Sequence, residues 1–206
     1  MGKLTHFDEQ GRAKMVDVSK KVETIREAVV RGSVFMNPKT FKQIMSGKIS
    51  KGDVLAVAKV AGIMAAKRTS EIIPMCHPLN LSHVQVNFYP YEKESQIDIE
   101  AKVKIKARTG VEMEGFVAVA AAGLTIYDMC KAVDRGIVIS DIHLVRKTGG
   151  KSGTYTSKNL PSPGGRGCRG GGNFSPHPHP HPLPSRAREK RNGRNETSAA
   201  RKSSIS

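Results

Sequence analysis

In the stretch IIPMCHPLNL, residues 72–81, Cys76 and His77 stand side by side between Pro74 and Pro78. A thiol next to an imidazole could ligate a metal, act as a nucleophile, or form a fixed contact surface for a ligand. Zinc would require two more ligands at workable spacing, and the chain has no Cys-x-x-Cys pair. Neighbouring residues seldom point at each other, and the base that serves a nucleophilic Cys is usually remote in sequence. The flanking prolines restrict the backbone on both sides, so the loop can present Met75, Cys76 and His77 with little entropy left to lose.

A second set of polar residues punctuates a long apolar segment, residues 109–133. Asp128 falls near its end, where an acid faces the negative pole of a helix and its pKa is expected to rise unless a cation compensates. Lys131, three residues on, lies on the same helical face and could be that cation. An exposed Asp beside a C-terminal Lys is the plainer reading of the same spacing. At the other end, Thr109-x-x-Glu112 has the form of a capping box, which assigns Glu112 a structural task, and Met113 and Glu114 follow it. A continuous helix would hold Glu114 and Asp128 roughly 21 Å apart, too far to share one small pocket within one chain. Either they serve different sites, or a symmetric assembly brings opposite ends of two copies together.

Cations recur at the ends of elements: Lys51 before Gly52-Asp53, Lys67-Arg68, Arg108, and Lys147 and Lys151 around a glycine pair. Such a set with flexible backbone suits an anionic, phosphorylated ligand, although for any one residue solvated surface charge is the simpler account. GGKSG is like the end of a phosphate-binding P-loop, but Val145 occupies the position of the required first glycine and no helix follows, which excludes an ATPase reading.

Residues 29–36 read as a strand. A short helix follows with Asn37 as N-cap, Pro38 at its first position and Gly47 as its stop. Residues 53–73 have the length and small-residue content of a packed helix ended by Pro74. HVQVNFYPYE and SQIDIEAKVKIKA alternate apolar and polar residues around KES, the pattern of an antiparallel hairpin. After the second long helix, DIHLVRK reads as a last strand leading into TGGKSG. Paired strands with two long apolar helices predict an α+β fold with the helices on one face of the sheet.

The chain has 206 residues and 38% hydrophobic content, enough for one ordinary core. Its net charge of +16 is unevenly spread. Residues 158–206 contain ten Lys/Arg and two Glu, a net +8 that is half of the total, together with seven of the 11 prolines. That composition cannot bury enough surface to offset chain entropy, so 158–206 is expected to be a disordered tail behind a folded domain, residues 1–157. SPHPHPHPLP within it could hold a transition metal only weakly, because alternating proline keeps the segment extended. Three cysteines without framework spacing and no apolar leader suggest reduced thiols in a cytoplasm. The longest apolar run, residues 115–127, is too short to span a bilayer. The basic balance raises a nucleic-acid-binding module as the alternative function, but aromatic content is 5% and no stacking-strand or helix-turn-helix signature is present.

MVDVS, KGDVLAVAKVAGIMAAKRTSEIIPMCHPLNLSHV, TGVEMEGF, LTIYDMCKAVD and KTGGKSG, in that order, resemble the cyclic pyranopterin monophosphate synthase family of molybdenum-cofactor biosynthesis, over residues 4–155. The resemblance implies a ferredoxin-like subunit in a homohexamer, a trimer of dimers, with sites at subunit interfaces. It implies a lyase that acts after a radical S-adenosylmethionine GTP cyclase. The substrate would be 3',8-cyclo-7,8-dihydro-GTP and the products cyclic pyranopterin monophosphate and diphosphate. By motif position Asp128, Lys131 and Lys51 would be catalytic, and Met75, Cys76, His77, Glu112, Met113, Glu114 and Lys147 would bind substrate. No resident metal or redox cofactor is implied; Mg2+ could accompany the triphosphate. Members of the family usually end soon after the GGKSG block, so the tail departs from the pattern.

Overall fold

The computed structural model of a single chain describes residues 10–157, apart from 13 and 152. The expected disordered tail and its His-Pro alternation lie outside the described residues. Among the described residues five strands and four helices follow in the order β1 (Thr24–Phe35), α1 (Pro38–Met45), α2 (Val54–Lys67), α3 (Thr69–Ile72), β2 (His83–Tyr91), β3 (Gln96–Ala107), α4 (Glu112–Cys130), β4 (Val138–Thr148) and β5 (Tyr155–Thr156). The strands form one antiparallel sheet in the order β2-β3-β1-β4-β5. With α2 and α4 packed on it, the architecture is α+β and ferredoxin-like, as expected.

Strand periodicity decides which face is covered. Val30 and Val34 of β1 and Ile97, Ile99 and Val103 of β3 are fully buried. The alternate positions carry polar pairs on the other face: Arg31 with Glu100 at 2.6 Å, Lys102 with Glu27 at 3.1 Å, and Ser33 with Asp98 at 2.7 Å. The β1–β3 ladder runs unbroken from Thr24↔Ala107 to Phe35↔Gln96, whereas the β1–β4 ladder shifts register between Val29 and Val30 and again between Arg31 and Ser33.

Small residues let the helices approach the sheet and each other closely. Gly115 of α4 faces Val30, Gly32 of β1 faces Val119, and Gly62 of α2 lies against the backbone of α4. A methyl group at Gly62 would stand 2.9 Å from the carbonyl oxygen of Ala118, which cannot retreat without moving the helix. Gly62→Ala is therefore expected to cost about 1–2 kcal/mol, overpacking outweighing the gain in helix propensity, with a thermal midpoint lowered by a few degrees. An unchanged or raised midpoint would show that the helices separate without penalty. By length and composition α4 would cross a bilayer, but 56% of its apolar window is buried inside the protein, as in a core helix.

Several local expectations change. The first strand begins at Thr24, five residues before the reading from sequence; the strand read from Asp141 begins at Val138 and is not the last, because the two-residue β5 follows it. The helix expected over 53–73 breaks at Arg68, with a one-turn α3 before Ile73 turns extended ahead of Pro74. The capping box at Thr109 and Glu112 does not form: Val111 is the N-cap of α4 and no side chain caps it. Asn37 stands at the N-cap of α1 but makes no side-chain cap bond either.

Candidate active site

The sequence-predicted site residues gather at the two ends of α4. At its C-terminal end, Lys51 comes from the turn between α1 and α2. That turn closes with a bond from the Gly52 N–H to the Ile49 carbonyl, and Ile49 is buried. Asp53 then caps α2 by accepting from the Ala56 N–H at 3.0 Å, so the residues on both sides of Lys51 are anchored. The Lys51 ammonium donates to the Asp128 carbonyl at 2.7 Å and to its carboxylate at 3.1 Å. It thus serves one of the last-turn carbonyls that a helix leaves without an intrahelical partner. Lys131 reaches the other carboxylate oxygen at 2.8 Å.

Hydrogen bonds and charge from Lys131, then Lys51, hold the Asp128 carboxyl below its ordinary range, and the same carboxylate raises Lys131. The compensating cation anticipated from the i+3 spacing is present, with a second one 77 residues distant. All three side chains remain about half exposed, so a ligand could reach this ion triplet.

The other set meets at the N-terminal end of α4. Leu79 and Leu81 pack on a small cluster that includes Val111, which fixes the 74–78 loop beside the start of the helix. Met75, Cys76 and His77 are half-buried. Burial pushes the Cys76 thiol up, and the charge of Glu114 pushes it further. A thiol so raised is not poised as a nucleophile. Glu114 is only 3% exposed; desolvation lifts its carboxyl to about 7 despite its own backbone N–H, and Glu112 adds to the rise. Glu112 accepts from Lys147 at 2.9 Å, a partner contributed by β4, while Met113 lies open beside them. Asp17 is held down by the hydroxyl and N–H of Ser19, with smaller pulls from Lys14 and His77, so the segment before β1 passes near this end as well.

The glycine pair after β4 folds against β1. A side chain at Gly149, which has φ +93°, would collide with the Ile25 carbonyl, and one at Gly150 with the guanidinium of Arg26. Arg26 in turn donates to the carbonyls of Ala107 and Arg108, each at 3.0 Å. Arg26 was not singled out from sequence; an Arg inside a strand carries no periodic signal. Of the other cations, Arg108 donates to the Ser19 carbonyl at 3.2 Å, and Lys67, Arg68 and Lys151 are exposed. Among the described residues no group of three or more His, Cys, Asp or Glu is gathered to hold a metal. The two ends of α4 remain separated by the length of the helix, so a single chain does not unite its candidate residues.

The family model described as the MoaC family matches residues 15–150, a span that includes both ends of α4 and, from Lys51 to Lys147, every candidate site residue. The chain belongs to the MoaC family. Curated relatives agree over nearly their whole length. A protein named cyclic pyranopterin monophosphate synthase from Heliobacterium modesticaldum is 61% identical over 155 residues, which are 75% of this chain and 98% of the relative. Proteins with the same name from Desulforapulum autotrophicum and Thermoanaerobacter pseudethanolicus are 53% and 60% identical, over 79% and 74% of this chain and 100% and 96% of theirs. The family model ends at residue 150, so residues 158–206 fall outside it.

Proposed function

We propose that this MoaC-family chain is a lyase of molybdenum-cofactor biosynthesis, converting 3',8-cyclo-7,8-dihydro-GTP to cyclic pyranopterin monophosphate with release of diphosphate. The observation that carries the reading is the match to relatives named for this product over 96–100% of their own length. Asp128, Lys131 and Lys51 form an ionised triplet that can pass protons as the purine-derived ring opens and the pterin closes. Lys147 and neighbouring cations would neutralise the leaving diphosphate. Met75, Cys76, His77, Glu112, Met113 and Glu114 would hold the ring system. The separation along α4 favours a site at a subunit interface, supplied by one end of each of two helices within a homohexamer built as a trimer of dimers. The reading needs no resident cofactor, and any Mg2+ would arrive on the triphosphate. It places the protein in the cytoplasm, after a radical S-adenosylmethionine cyclase that makes the substrate.

The test is incubation of the purified protein with the cyclised GTP intermediate. Diphosphate and, after oxidation, pterin fluorescence are expected; neither appearing with an authentic substrate would overturn the assignment. Within the 74–78 loop, Cys76→Ser is expected to retain substantial activity and His77→Ala to lose most of it, at least about tenfold. Equal and severe losses would restore the thiol as the acting group.

A further inference from the structure

Asp134 lies four residues past Cys130, the last residue of α4, with no place in the site described above, yet it is a carboxylate only 4% exposed. Its contacts reach far along the chain. One oxygen accepts from the Asn37 N–H at 2.8 Å and from the Thr40 hydroxyl at 3.1 Å; the other accepts from the Gly136 N–H at 2.9 Å. Asn37 is the N-cap residue of α1 and its own side chain makes no cap bond. Asp134 therefore caps α1 from nearly a hundred residues away, and its negative charge sits at the helix end that favours it. The Thr40 side chain that completes the bond is 2% exposed.

The connection closes a ring of contacts. From Asp134 the tie passes to the start of α1, along a helix anchored by buried Phe41 and Ile44, and through buried Ile49 to Lys51. Lys51 then returns to Asp128, six residues before Asp134. The turn between Asp128 and Asp134 is itself fixed, because the N–H groups of Val133 and Asp134 both donate to the Cys130 carbonyl. Both partners of the Lys51–Asp128 contact are thus mounted on segments that Asp134 joins. We propose that Asp134 is a positioning residue for the reaction, setting the place of Lys51 against Asp128 by clamping the start of α1 to the turn after α4. The inference rests on the functional reading above.

Asp134→Asn preserves size but turns one acceptor into a donor, which must face the N–H of either Asn37 or Gly136. With the cyclised GTP intermediate as substrate, kcat is expected to fall by about 10- to 100-fold while KM changes by less than about twofold, because the displaced group is Lys51 and not the segments that hold the ring system. The decisive measurement is single-turnover rate in a Lys51→Ala background. There the same substitution is expected to cost less than about twofold, since the residue through which Asp134 acts is already gone. A similar loss in both backgrounds, or a lowered thermal midpoint with kcat unchanged, overturns the inference. Thr40→Val removes one contact and leaves the carboxylate, and it decides the matter if Asp134→Asn does not fold: a fall in kcat only where Lys51 is present supports the clamp, and no fall overturns it. Wild-type protein without activity would overturn the functional reading, and this one with it; active wild type with an unaffected variant overturns this one alone.

Discussion

Asp128→Asn is expected to lower kcat/KM for the cyclised GTP intermediate by about 10²- to 10⁴-fold, the usual span for loss of a positioned acid-base group. Asn keeps the shape and one acceptor oxygen but cannot exchange a proton, and it removes the charge that gathers Lys51 and Lys131. The fold should not notice. The carboxylate is 58% exposed, and ion pairs of that kind add little to stability, so the thermal midpoint should move by no more than a degree or two. The carboxyl is held below its ordinary range by Lys131 and Lys51, so it stays ionised in the wild type through mildly acidic conditions. The acid limb of the wild-type rate profile should accordingly lie below the ordinary carboxylate range where Asp128 is the limiting group. Near-normal turnover by Asp128→Asn, at unchanged oligomeric state, would remove Asp128 from the chemistry.

The second large effect concerns Glu114 and is read in stability. The native carboxyl holds its proton up to about 7, whereas in the unfolded chain it releases the proton near the ordinary value of 4.5. Between those limits the native state binds more protons than the unfolded state, so raising the pH removes stability. The contribution is fully present below 4.5 and is lost as pH rises through about 7. With ~1.4 kcal/mol per pKa unit, and allowing for some solvent screening, the loss should be about 1–3 kcal/mol. Glu114→Gln, neutral at every pH, should abolish this part of the slope and become the more stable protein at alkaline pH. Denaturant midpoints of both proteins between pH 5 and about 8.5 measure it. Parallel curves would show that Glu114 titrates normally.

The sequence exposes whatever depends on near neighbours. Period-two alternation found β2 and β3, and the i+3 spacing found the Asp128–Lys131 pair. Local rules failed where a distant partner outbids them. Thr109 and Glu112 have the spacing of a capping box, but Glu112 is taken by Lys147 from β4. Asn37 has the identity of an N-cap, but the cap comes from Asp134. Lys51 was singled out as one of several loop cations, and nothing within the turn that carries it points to Asp128 as its partner. The extra length of β1 and β4 has the same origin. Ladder bonds to β3 recruit Thr24, Ile25 and Arg26 into β1, and ladder bonds to β1 recruit Val138, Ile139 and Ser140 into β4, residues whose side chains alone do not spell out a buried strand.

The glycine and alanine face of α4 also limits how the chain can change in length. One residue inserted between Gly115 and Gly123 would advance the rest of the helix by ~1.5 Å and turn it by about 100°. Asp128 and Lys131 would swing away from Lys51, and a side chain would replace Gly123 where it meets Ile139. Residues 92–94 of the β2–β3 turn carry no such phase relation, because they are exposed; the buried Ser95 beyond them accepts from the Met36 N–H and is fixed. Length variation in engineered forms therefore belongs in that hairpin, while α4 behaves as a fixed spacer whose residue count sets how its two candidate site groups are placed.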